Sequence, residues 1–236
     1  NLPGWNNIEI VKMFEKEFGV KTLLQNDANA CALAEWKFGA GRGLDNVVFM
    51  TFGTGLGAGL ILDGKLYSGT NDNAGEVGHV RLADFGGTGY GKCGSFEGFC
   101  SGSGIAQIGK MKAMEKLQMG QSVAFCKDLS SLNDINAKVI ADCADKGDAL
   151  AKEVYAISGH YLGIGLSMII DILNPQAVII GSIFTRSKKL LWSEAKKVID
   201  KEALPVSAKV CKVLPAALGE NIGDFAALSL AAYALK

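Results

Sequence analysis

Residues 46–67 read N-V-V-F-M-T-F-G-T-G-L-G-A-G-L-I-L-D-G-K-L-Y, and this stretch decides the fold. Asn46 to Phe52 is a near-continuous apolar run, as expected of a strand covered on both faces. It breaks at Gly53-Thr54-Gly55-Leu56-Gly57-Ala58-Gly59 and resumes as a second strand at Leu60 to Leu62. Asp63-Gly64 is a strong hairpin signal, and Lys65-Leu66-Tyr67 is the return strand. Three successive strands predict an antiparallel meander. Further on, Ala177 to Ile180, a helix over 186–202 and a strand over 208–214 predict a parallel βαβ half. The combination is an α/β chain with a mixed sheet flanked by helices.

The remaining segments fill in around that sheet. A helix is predicted over 7–18, with Ile8, Val11, Phe14 and Phe18 near one face and Gly19 as its stop. A short strand is expected at Val20 to Leu24. Asn26-Asp27-Ala28-Asn29 opens a helix over Ala30 to Phe38. A strand is predicted at Glu76 to Leu82 inside an irregular, glycine-rich stretch, 68–104. Helices follow at about 104–119, 133–145 and 148–173, and an apolar helix closes the chain from Gly223 to Leu235.

The 236 residues suffice for a large core. Lys+Arg and Asp+Glu both number 24, which argues against a nucleic-acid or membrane-surface partner. No apolar run approaches the ~20 residues of a membrane span, and the richest, Tyr161 to Leu173, carries Asp171. Six cysteines at 31, 93, 100, 126, 143 and 211 form no CxxC pair, a pattern that fits free thiols in a reducing cytoplasm. No basic stretch followed by an apolar one marks a secretory leader. The 30 glycines concentrate between residues 39 and 109, where site-bearing loops are expected.

Within that region several groups suggest chemistry. The turn at 53–59 is no Walker loop, because no GKS or GKT follows. It is no Rossmann fingerprint either, because it joins two strands. It can still hold phosphate through converging N–H groups and the Thr54 hydroxyl, or it is a hairpin with glycine bulges. Asp27, at a strand-to-helix junction, suits a general base for a hydroxyl. Taken alone, Asn26-Asp27 reads more simply as a helix cap. Glu76, His79 and Glu97 suit a polyhydroxylated ligand, since carboxylates accept from sugar hydroxyls and imidazole does either. Each of the three also reads singly as surface or structure. His160 reads as core. His79, Cys93 and Cys100 lack the spacing of a structural zinc site.

Matched in order, these stretches resemble the ROK family of sugar kinases and sugar-responsive repressors. The resemblance rests on N-D-A-N-A at 26–30, A-L-A-E-W-K-F-G-A-G-R-G at 32–43 and F-G-T-G-L-G-A-G at 52–59. It continues through D-G-K-L-Y at 63–67, N-A-G-E-V-G-H at 73–79, F-E-G-F-C-S-G at 96–102 and V-I-I-G at 178–181. The resemblance implies an actin-like ATPase (RNase H-like) fold. It also implies a glucokinase-like enzyme that uses ATP and Mg²⁺ to phosphorylate a hexose or N-acetylhexosamine, cytoplasmic and homodimeric. By position, Asp27 is then the catalytic base, and Asn26, Glu76, His79 and Glu97 bind the sugar. Gly53, Thr54, Gly55 and Gly57 form a phosphate loop, and Gly181 belongs to the adenosine site.

The sequence departs from the family twice. The cysteines of the family's zinc loop fall at Thr88, Tyr90 and Ser95, so no zinc is expected and hydrogen bonds must hold the loop. No Asp-x-Gly-x-Thr phosphate loop is present either. Residues 1–30 are therefore expected to be the tail of a small lobe, 31–220 a large lobe, and 221–236 a helix returning to the small lobe. On that expectation the segment alone turns over poorly. The alternatives are the effector-binding part of a ROK repressor and a sugar-binding module without catalysis. The intact Asn26-Asp27-Ala28-Asn29 and Gly53-Thr54-Gly55 favour the kinase.

Overall fold

The computed structural model describes residues 8–233. Two helices come first, α1 (Ile10–Phe18) and α2 (Asp27–Phe38), followed by the meander β1 (Val47–Phe52), β2 (Leu56–Leu62) and β3 (Lys65–Tyr67). A small hairpin, β4 (Thr88–Gly89) and β5 (Lys92–Cys93), precedes α3 (Phe96–Phe99) and α4 (Gly102–Gln118). Then come α5 (Ala137–Asp145), α6 (Ala149–Leu173), β6 (Ala177–Ile180), α7 (Ile183–Glu202), α8 (Pro205–Val210), β7 (Lys212–Pro215) and α9 (Ile222–Tyr233).

The main sheet has five strands in the order β3-β2-β1-β6-β7. β1–β2 and β2–β3 are antiparallel, while β1–β6 and β6–β7 are parallel, as the meander and βαβ patterns predicted. The central strands are covered on both sides. Val48, Met50, Phe52, Val178 and Ile180 face a large core shared with α4–α7. Val47, Phe49, Ala177 and Ile179 face a smaller core shared with α2 and α9. The period of two in side-chain direction explains why an unbroken apolar run, not an alternating one, encodes this sheet.

α2 crosses β2 closely. A Cβ on Gly59 would lie 2.5 Å from the Ala28 carbonyl oxygen and 2.6 Å from the Ala32 Cβ. Only glycine in the strand and alanines on the helix permit that approach. The helix is fixed at its other end by Glu35, which is fully buried. Its carboxylate accepts from the N–H groups of Ala217 and Leu218, both at 2.9 Å, and of Ala40 at 2.8 Å.

Several expectations need correction. Residues 20–24 form no strand; Val20 and Leu24 are exposed and pair with no neighbour among the described residues. Residues 76–82 are mostly not a strand either. Val77–His79 is a single 3₁₀ turn, because the segment runs along β2 through isolated contacts such as Ala58 N–H to the Gly75 carbonyl. The start of the predicted 208–214 strand belongs to α8, where Pro205 at the first turn presets helical φ and only 212–215 pairs with β6. Ser187 breaks the φ/ψ run inside α7, which itself begins earlier than expected, at Ile183. The predicted 133–145 helix is a 3₁₀ turn followed by α5. Asn7 and Ala234 to Lys236 lie outside the described residues, as do the parts of the terminal predictions that fall on them.

α6 is 25 residues long and apolar enough to cross a membrane by composition, contrary to the reading of its apolar run. Its buried face, including Val154, Leu162 and Leu166, packs instead into the large core with α4, α5 and α7. His160 on this helix is exposed, not core; its ring meets Tyr161 edge-on at 5.4 Å.

Replacing Gly59 by valine forces α2 off the sheet. Gly59→Val should lower unfolding stability by about 3 kcal/mol, and Gly59→Ala by less, measured by urea denaturation. An unchanged midpoint in both variants would disprove the close-packing account.

Candidate functional site

At the mouth of α2, Asn26 is the cap. Its Oδ1 accepts from the N–H groups of Ala28 at 2.9 Å and Asn29 at 3.3 Å. Asp27 shares the first of these donors with it. It is exposed, and its Oδ1 accepts from Ala28 N–H at 2.8 Å. The cap reading holds for Asn26, and the same geometry leaves the neighbouring carboxylate facing outward. Behind it, burial first and then the charges of Asp27 and Glu35 push the Cys31 thiol up to about 11.

The turn after β1 has its carbonyls engaged. Gly53 O accepts from Gly102 N–H at 2.7 Å, Thr54 O accepts from the Ser103 hydroxyl at 3.1 Å, and Gly55 O accepts from Gly53 N–H at 3.0 Å. A trans peptide holds each N–H opposite its carbonyl. The Thr54 and Gly55 N–H groups therefore point away from the start of α4. Gly57 continues the hairpin, its N–H donating to Thr51 Oγ1 at 3.0 Å.

Glu97 sits on the short α3 and reaches the same turn. Its Oε2 accepts from Leu56 N–H at 2.9 Å. A Cβ on Gly55 would come within 2.7 Å of that oxygen, so the glycine is needed for the carboxylate to approach. Asp27, Glu76, Glu97 and the 53–58 turn border one cavity of about 480 Å³. Glu76 and Glu97 also border an adjoining cavity of about 580 Å³ with His79, Tyr90, Asn71 and Asn73. A third cavity, of about 790 Å³, also touches Gly53 and Thr54 and reaches Ser182, Arg186 and Tyr155.

The structure thus brings Asn26, Asp27, Glu76, Glu97, Gly53, Thr54, Gly55 and Gly57 around one space, with His79 next door. Gly181 is different. Its N–H donates to Met50 O at 3.0 Å and its α-carbon faces Phe49 and Ala216, while the next residue, Ser182, borders the large cavity. Sequence reasoning missed Asn71, Asn73, Ser182 and Arg186. The Asn-Asp-Asn run at 71–73 was a turn signal that could have flagged the first two; nothing local marked the others.

The loop carrying Thr88, Tyr90 and Ser95 does not offer zinc a ligand set. Ser95 Oγ, fully buried, accepts from the N–H groups of Gly89 at 3.2 Å and Gly98 at 3.1 Å. Thr88 is held through its backbone, its N–H donating to Gln107 Oε1 at 2.8 Å. Tyr90 meets the His79 ring edge-on at 6.2 Å. Arg81 donates to Cys93 O at 2.6 Å, and Lys92 to His79 O at 2.8 Å. Among the described residues no group of three or more His, Cys, Asp or Glu side chains gathers as a metal site.

A five-stranded mixed sheet with this turn and these carboxylates is the arrangement of an actin-like ATPase lobe. The sequence profile of the ROK family matches residues 1–233, and the chain belongs to that family. It is 32% identical over 222 residues to a glucokinase of Halalkalibacterium halodurans, covering 93% of this chain and 66% of that one. It is 29% identical over 218 residues to the xylose repressor of Bacillus spizizenii, covering 92% of this chain and 52% of the repressor. The chain thus spans between about half and two thirds of these relatives' lengths. A ROK family glucokinase from Streptomyces griseus, solved in complex with glucose and AMPPNP, superimposes with a TM-score of 0.79 at 30% identity. That match covers 96% of this chain and 73% of the other.

The six cysteines are all free. Alkylation at pH 8 with mass mapping should label exposed Cys93 first and leave Cys31, Cys100 and Cys211 unmodified in the folded protein. Burial is the first cause of the raised pKa at those three thiols. Equal labelling of Cys31 and Cys93 would contradict the packing of α2 against the sheet.

Proposed function

We propose that the chain forms the major lobe, about residues 31–220, of an ATP-dependent hexose kinase, with Asp27 as the general base. One observation carries this reading. Gly53 and Thr54 border both the carboxylate-lined cavity and the large cavity that reaches Ser182 and Arg186. A glycine turn with outward N–H groups between an acidic pocket and a roomy one is where a phosphoryl group would pass from nucleotide to hydroxyl.

In this scheme Asn26, Glu76, His79 and Glu97 hold sugar hydroxyls, and Asp27 accepts the proton of the attacking one as the bond to phosphorus forms. The N–H groups of Thr54 and Gly55 face the transferred charge, a preorganised arrangement that costs little reorganisation during reaction. Phosphoryl transfer needs mainly such positioning. The oxygen donors beside the turn, the Asp27 carboxylate and the Thr54 hydroxyl, are the ligand type Mg²⁺ takes together with phosphates. Bound Mg²⁺ would supply neutralisation of phosphate charge. The repressor relative supports a second reading, a sugar-binding regulator, which predicts sugar affinity without ADP release.

A coupled ADP-release assay of the full-length protein on hexoses and N-acetylhexosamines separates the two. We expect sugar-dependent turnover that Asp27→Asn lowers by roughly 10³-fold, with sugar affinity changed less than about threefold. Sugar binding with no turnover would select the regulator. Turnover unchanged by Asp27→Asn would remove the base assignment.

A further inference from the structure

We infer that Ser182 and Arg186 form a hydroxyl–guanidinium clamp for the nucleotide's phosphate chain, an inference that rests on the kinase reading above.

Ser182 joins β6 to α7 with φ +55° and ψ −114°. That conformation mirrors the β region and belongs almost exclusively to glycine. A glycine would make the same turn without strain, so the backbone gains nothing from the serine side chain. The α7 helix does not use it either. Ser182 stands at the N-cap position, yet its side chain makes no capping hydrogen bond. Instead Oγ accepts from Arg186 Nη2 at 3.4 Å. It also lies 3.6 Å from the position a Cβ would take on Gly53, so the hydroxyl faces the glycine turn. Ser182, Arg186, Gly53 and Thr54 border the same cavity of about 790 Å³.

The charges around that cavity favour an anion at Arg186. The acidic groups that border it, Asp142 and Asp145, are paired with Lys138 at 2.7 Å and Lys189 at 3.1 Å. Among the described residues no carboxylate pairs with Arg186. The break at Ser187 sets the first turn of α7 apart from the rest of the helix and so fixes where Arg186 leaves it. A planar guanidinium beside a hydroxyl suits phosphate oxygens, which accept two donors at once. The glycine turn supplies N–H groups from one side, and the clamp would supply donors from the other.

The test measures affinity of the full-length protein for the non-hydrolysable ATP analogue AMPPNP with Mg²⁺, by isothermal titration. Adenosine affinity is read alongside by ligand-observed NMR, since adenosine has no phosphate for the clamp to hold. Ser182→Gly should raise the melting temperature, because the strain is relieved. It should also weaken AMPPNP about tenfold and leave adenosine unchanged. Ser182→Ala keeps the backbone demand and should weaken AMPPNP to a similar degree without the gain in melting temperature. Arg186→Gln should weaken AMPPNP at least as much. A merely structural serine would not move stability and affinity in opposite directions. If the unmutated full-length protein binds AMPPNP and the variants bind it equally well, or if adenosine affinity falls in step, the clamp is wrong and the kinase reading stands. If the unmutated full-length protein binds no AMPPNP, the nucleotide reading fails, and the clamp with it.

Discussion

The site depends on a backbone approach that almost no side chain would allow. Gly59 lies so near α2 that even a methyl group would overlap the Ala28 carbonyl. That contact fixes how far the first turn of α2 stands from the β1–β2 hairpin. Asp27 begins α2 and Gly53–Gly57 form the hairpin turn, so their common cavity follows from the packing of glycine on alanine. The opposite end of α2 is held by Glu35, whose carboxylate takes N–H groups from the chain between β7 and α9. Between these two points the helix has little freedom to tilt. A general base must lie within hydrogen-bond reach of its proton, so a rigidly seated helix suits the role proposed for Asp27.

Glu97 carries this rigidity across the cavity. One of its oxygens fixes Leu56 N–H, the first residue of β2, while Ser95 caps α3 beneath it. The carboxylate proposed to touch sugar is thereby also the brace of the proposed phosphate turn. A ligand that engages Glu97 acts on the same group that orients the hairpin. Binding on one side of the turn is physically coupled to geometry on the other through a single side chain.

Much of this was legible in the sequence because glycine and apolar periodicity are local signals. The run from Asn46 to Tyr67 gave away the meander, and Asn26-Asp27 with Glu76 and Glu97 located most of the cavity. What failed depended on partners. Val20 to Leu24 has strand composition, but a strand needs a neighbour, and propensity cannot supply one. The strand expected over 208–214 starts late because Pro205, just upstream, opens a helix. His160 lies on a very apolar helix, so its exposure depends on which stripe of that helix meets α7, a tertiary fact. Ser182 was invisible for a different reason. Its φ is imposed by the crossing from β6 to α7, and serine is not a residue that announces a glycine-like conformation.

The loop at 88–95 is held by hydrogen bonds spread over several partners. Metal ligation would concentrate the restraint in one strong centre. Here it is distributed: Ser95 binds two backbone N–H groups, Gln107 grips both backbone groups of Thr88, and Arg81 and Lys92 tether carbonyls. Each such bond contributes only about 1 kcal/mol, so none replaces a metal alone. Their placement matters more than their sum. Ser95 is buried and immediately precedes the helix bearing Glu97, so its two bonds order the carboxylate directly. His79 is fixed less tightly, through its carbonyl and the edge of Tyr90. A loop built this way holds the Glu97 carboxylate firmly and leaves the His79 imidazole freer to adapt, an asymmetry that a metal bound to His79 would abolish.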